Sequence, residues 1–157
     1  MKQIDLTRYA PPGTNIEEEV KRLGISLVGA ACCAVLIYGV SLRASYDSLF
    51  DRIGGELVLR SDALMLPFDA VLGRGLWFFY LVALCALASA IPHHVSYYTG
   101  GSKSIYLMRR LPQRWEWLRR DITLPIAEAV ACLLAAQLLK LLFLGVYYWI
   151  TPAQCLP

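Results

Sequence analysis

Glu128 and Lys140 are the acid and the base that stand inside otherwise apolar stretches of this sequence. Ionisable side chains are costly in hydrocarbon, so they face a bundle interior or a wet cavity and mark candidate sites for ions, protons or partners. They are twelve residues apart, about 18 Å along a helix axis, so they do not pair with each other. Glu128 is close enough to one end of its stretch to reach water. Lys140 reaches the opposite surface only with its stem extended, or takes a partner on another chain.

Other chemistry is sparse. His93 and His94 are the residues a haem would use. Adjacent side chains on a helix point about 100° apart, so one iron cannot take both from the same direction, and a second ligand must come from another chain. Histidines at headgroup level are the simpler reading, and no metal site is expected. The five cysteines contain no CxxC and no metal-ligand spacing. Four of them fall in apolar runs, where cysteine behaves as a small hydrophobe. Gly101-Ser102-Lys103-Ser104 lacks the glycine that a phosphate loop needs directly before its lysine. With no Ser/His/Asp set, no paired carboxylates and no HExxH, the chain is not expected to be an enzyme by itself or to hold a cofactor.

The elements that must position these residues follow from charge distribution. The chain has 157 residues, 57% hydrophobic and 17% charged, with a mean hydropathy of +0.50. Soluble domains are about 45–50% apolar and about 25% charged. No Asp, Glu, Lys or Arg occurs from Gly24 to Leu42 or from Gly75 to Ser102, and Ile122 to Pro157 is interrupted only by Glu128 and Lys140. Each run meets the roughly 20 residues that a spanning helix requires. None shows the alternation of a membrane barrel. The fold expected is all-α and polytopic, with transmembrane helices over 24–43, 76–98 and 125–150 and short interfacial amphipathic helices. The first run is too long, and too far behind a polar segment, for a cleaved signal.

Orientation follows from Lys and Arg. Ten of them flank the spans on one side (Lys2, Arg8, Lys21, Arg22, Lys103, Arg109, Arg110, Arg114, Arg119 and Arg120), against four on the other. The positive-inside rule then puts residues 1–23 and the 99–124 loop in the cytoplasm, and the 44–75 loop and the 151–157 tail outside. The expected location is the plasma membrane. Thr14-Asn15-Ile16-Glu17 is a capping-box pattern that starts a helix leading into the first span. The 44–75 loop is too polar to span and reads as short amphipathic pieces broken at Gly54-Gly55 and Pro67. Pro125 is a favoured first helical residue and opens the third span. In the 99–124 loop, Ile105, Met108 and Leu111 form one stripe flanked by Arg109 and Arg110, and Pro112 ends that helix. A second short helix places Trp115, Leu118 and Ile122 on one face. Two basic amphipathic helices of this kind lie flat at the inner membrane surface.

Lys103-Ser104-Ile105-Tyr106-Leu107-Met108-Arg109-Arg110-Leu111-Pro112 resembles the polar start, apolar helix and closing turn of the coupling helix in ABC-2 type transporter permeases. In layout, residues 14–150 resemble the first, three-span half of such a permease, whose usual form has six spans. The resemblance implies a small membrane subunit of an ABC-type transport complex. Its 104–111 helix would meet a separate ATPase subunit through Ile105, Tyr106, Met108, Arg109, Arg110 and Leu111. ATP would be bound in that partner, a further permease chain and membrane lipids would be neighbours, and no nucleic acid is expected. Two other readings stand beside it: a haem- or quinone-bearing membrane anchor resting on His93 or His94, and a non-catalytic scaffold resting on the basic loop alone.

Overall fold

A computed structural model describes residues 16–53, 55–60, 63–92, 95 and 116–156. Among them the elements in chain order are α1 (Ile16–Asp47), a hairpin of β1 (Phe50–Ile53) and β2 (Glu56–Leu59), α2 (Phe68–Leu72), α3 (Trp77–Ala88) and α4 (Glu116–Ile150), followed by a 3-10 turn at Ala153–Cys155. The described chain is mostly helical. Two of these helices contain segments long and apolar enough to cross a membrane, Ile16–Asp47 and Ile122–Ile150; Trp77–Pro92 is a shorter apolar helix.

Their apolar side chains mostly do not build an interior. In the most apolar window of α1 only 17% of residues are buried, and in that of α4 22%. Leu36, Val40, Leu138 and Leu141 are each about two-thirds exposed. What is buried is a narrow seam of small residues and rings.

The helices run through two compact units. The first contains residues 16–27 of α1, 80–92, 95 and 116–133 of the described chain. Its core is Ala83, Ala129 and Cys132, with Leu23, Leu27 and Val82 packed against them. Alanine and cysteine leave little side chain between helix axes, which suits close approach where dispersion does the packing. α4 does not open at Pro125 as its sequence suggests. It begins at Glu116, and Pro125 stands buried inside it. A proline removes one i→i−4 hydrogen bond from a helix, and here the helix carries on through that loss. Residues 116–122, expected as a separate short helix, are its first turns.

The second unit contains residues 28–79 and 134–157. Ala30, Ala34, Tyr38, Leu42 and Ser45 recur every three or four residues on α1 and are all buried, which is one face of a 3.6-residue helix. Tyr38 stacks on Phe143 of α4 with ring centroids 4.2 Å apart and donates its hydroxyl to the Phe143 carbonyl at 2.9 Å. Gly75 sits where a Cβ would meet the Leu72 carbonyl at 3.3 Å and the Ala34 carbonyl at 3.6 Å.

The 44–75 stretch differs from the amphipathic pieces expected of it. Residues 50–59 form an antiparallel hairpin in which Ile53 pairs with Glu56. That register leaves two residues for the turn, and Gly55 takes φ +93° there, a region open to glycine at no steric cost. Pro67 does act as a break, standing at the N-cap of α2.

Candidate functional site

The sequence-derived candidates fall in three places. Ile105, Tyr106, Met108, Arg109, Arg110 and Leu111 lie outside the described residues, as do His93 and His94. Lys140 is in the second unit and Glu128 in the first.

Lys140 has a partner in its own chain. Its Nζ is 3.8 Å from Asp69 Oδ1. Asp69 lies in the first turn of α2, where a carboxylate also suits the helix dipole. The Lys140 side chain is 43% exposed and that of Asp69 87%, so the lysine charge reaches a wet carboxylate. The sequence offered stretching to water or another chain as the alternatives. The third solution depends on a short helix that the sequence did not reveal.

Around this pair, the end of α4 is fastened by polar contacts. Tyr147 is buried and donates its hydroxyl to the Leu66 carbonyl at 2.8 Å. Phe68 meets the Tyr147 ring edge-on at 5.8 Å. Thr151 donates to the Tyr147 carbonyl at 2.7 Å and lies 3.1 Å from the Met65 sulfur. The Met65 amide donates to the Cys155 carbonyl at 2.9 Å.

Glu128 is only 6% exposed and lines a cleft of about 270 Å³ in the first unit. The other walls are Arg22, Leu23 and Ser26 from α1, Val82, Cys85 and Ala86 from α3, and Ser89 just beyond its end. Arg22 forms an ion pair with Glu19 one turn earlier. Ser89 donates its hydroxyl to the Ala86 carbonyl at 2.6 Å, which leaves the lone pairs of its oxygen to accept. The cleft therefore combines a carboxylate, a guanidinium, two hydroxyls and a thiol with apolar walls. Such a set has the donors and acceptors to hold a polar group. Among the described residues no group of three or more His, Cys, Asp and Glu could hold a metal ion.

Arg22, Ser26, Cys85 and Ser89 were not singled out from sequence. Their signal was spacing: 22 and 26 are one helical turn apart, as are 85 and 89, so each pair shares a face. No family model, curated protein or solved structure matches the chain.

Proposed function

We propose that this chain is a non-catalytic membrane subunit of an ABC-type transport complex. It crosses the plasma membrane three times with its N-terminus in the cytoplasm, and a separate ATPase docks on the 104–111 segment. The membrane half of this reading rests on the exposure of the long helices: only about a fifth of the most apolar window of each is buried. A core helix of a soluble protein buries most of such a window, since that burial is what drives its folding. Lipid is the solvent that tolerates the exposed leucines and valines. The second span includes Trp77–Pro92, with aromatic residues at its start as expected of a helix entering at an interface.

The transport half rests on the basic loop and its resemblance to a coupling helix. Closure of an ATPase dimer would push the 104–111 segment and tilt the second and third spans. Hydrolysis belongs to the partner. The test is purification of the tagged chain from its native membrane in mild detergent, with co-purifying proteins identified by mass spectrometry. An ATP-binding subunit should accompany the wild type and be lost in the Arg109→Glu/Arg110→Glu double variant. A homogeneous chain with no ATPase would overturn the transport assignment.

A further inference from the structure

On the membrane reading above, α1 is a ruler for depth. Its uncharged run, Gly24 to Leu42, is 19 residues long and rises roughly 28 Å. The hydrocarbon is about 30 Å thick, so the run fills it without slack. By the positive-inside count, Leu42 then marks the outer edge. Ala34 lies eight residues before Leu42, about 12 Å inside that edge. Gly75 packs against it, where a Cβ would be 3.6 Å from the Ala34 carbonyl. Tyr38 is about 6 Å deep and stacks on Phe143 at 4.2 Å. By the same count α1 and α4 both run outward, so Lys140, three residues before Phe143, is about 10 Å deep. Its Nζ is 3.8 Å from Asp69 Oδ1.

The chain reaches this level from above. The Met65 amide meets the Cys155 carbonyl beyond the end of α4, and the Leu66 carbonyl is held by Tyr147, one turn outward of Phe143. Between Leu66 and Gly75 the chain therefore descends from the outer edge to about 12 Å below it. α3 begins two residues later, at Trp77. Its 12 residues rise about 18 Å, close to the thickness of hydrocarbon that is left.

Three ionisable side chains stand at this level. Asp69 is 87% exposed and Lys140 43%, and Arg74 is exposed beside Gly75. A carboxylate so open to its surroundings does not persist against acyl chains, and a single contact at 3.8 Å leaves most of it uncovered. Water is the surrounding that serves all three without a second chain. The backbone agrees. Non-helical chain at membrane depth is tolerated where it is buried in protein or lines a water-filled cavity, and here Gly73, exposed and at φ +49°, separates α2 from α3. Trp77, exposed at the start of α3, is of a type that favours an interface, and water at this level carries an interface inward to it.

We propose that residues 68–75 form a re-entrant limb, and that an aqueous notch around Asp69, Arg74 and Lys140 opens to the outside and reaches about 10 Å into the membrane. The notch admits water and small hydrated solutes to the Lys140–Asp69 pair. This rests on the membrane half of the reading above and is independent of any ATPase.

The test is thiol accessibility in intact cells that express the full-length chain. The membrane-impermeant reagent sulfonatoethyl methanethiosulfonate is added outside, and each site is read by peptide mass spectrometry. Asp69→Cys should label within about tenfold of Asp51→Cys, which is exposed on the hairpin. Arg74→Cys should do the same; it keeps the Lys140–Asp69 pair and is decisive where loss of Asp69 disturbs the limb. Leu36→Cys, about 9 Å deep on α1 and 68% exposed, should label at least about a hundredfold more slowly, because hydrocarbon suppresses the thiolate that reacts. Slow labelling of Arg74→Cys overturns the proposal and means that lipid or another chain covers the site. Fast labelling of Leu36→Cys overturns it too, since that level would then lie above the hydrocarbon. Labelling at 69 and 74 that appears only once the cells are opened overturns the outward opening. Alkaline carbonate extraction of native membranes keeps the two failures apart. Release of the chain by carbonate sinks the membrane reading itself, whereas retention with slow labelling of Arg74→Cys sinks this proposal alone.

Discussion

Replacing Tyr147 should loosen the segment around Met65 in two distinguishable steps. The residue is 1% exposed, its hydroxyl donates to the Leu66 carbonyl at 2.8 Å, and Phe68 meets its ring edge-on at 5.8 Å. Tyr147→Phe removes the hydroxyl and keeps the ring. A hydrogen bond of this kind is worth about 1 kcal/mol net, so local opening should become about fivefold more frequent. Tyr147→Ala also removes a buried ring, which costs about 3–5 kcal/mol, including an aromatic contact of about 1 kcal/mol. A loss near 4 kcal/mol is about a thousandfold in an equilibrium constant. The reporter is the Met65 amide, which donates to the Cys155 carbonyl at 2.9 Å and exchanges with solvent only when that contact opens. Hydrogen exchange of peptides covering 63–68 should accelerate modestly in the phenylalanine variant and by orders of magnitude in the alanine variant. Peptides from 16–27 should be unchanged in the phenylalanine variant. Unaltered exchange at Met65 in Tyr147→Ala would refute the inference that this side chain fastens the segment.

Two further outcomes are expected. Ala34→Leu should lower the unfolding midpoint in detergent, at a cost of about 1–3 kcal/mol for overpacking, because Ala34 is fully buried and its backbone faces Gly75 closely; Val35→Leu on the exposed side should leave the midpoint unchanged. A double-mutant cycle of Lys140→Met with Asp69→Asn should give a coupling below about 1 kcal/mol, since the pair is half in solvent, and a coupling of several kcal/mol would mean that the contact is far better shielded than its exposure says.

Helix was legible where charge was absent. The uncharged run from Gly24 to Leu42 lies wholly within α1, and the capping pattern at Thr14–Glu17 directed a helix into that run, as observed from Ile16 onward. Two features were missed for physical reasons. Pro125 reads as a helix start because the first turn has no use for its amide; yet α4 begins at Glu116, so the extent of the helix was set by more than the proline's local preference. The hairpin was missed although Gly54-Gly55 between Ile53 and Glu56 is a two-residue turn signal. The flanking residues Leu57, Val58 and Leu59 break the alternation that would have marked a strand. The cleft was missed because its residues come from three separate stretches, each polar by only one or two side chains.

The polar residues of α4 also show what axial distance leaves out. From sequence, Glu128 and Lys140 were separated by rise along the helix, which excludes a direct pair but says nothing about which way each faces. Their register supplies it. Glu128, Cys132, Ala136 and Lys140 form a single i, i+4 row, and the first three are buried. Such a row drifts about 40° per step around a 3.6-residue helix. By Lys140 it has turned toward the margin of the seam, which accounts for a residue neither buried nor fully exposed. The burial then resumes at Phe143, Tyr147 and Thr151, after one three-residue step that turns the row back by about 60°. Lys140 stands where the row changes step, and it is there that Asp69 meets it at 3.8 Å. Its charge thus meets a carboxylate within the chain, and Glu128 lies at the well-buried start of the row, on the wall of a cleft.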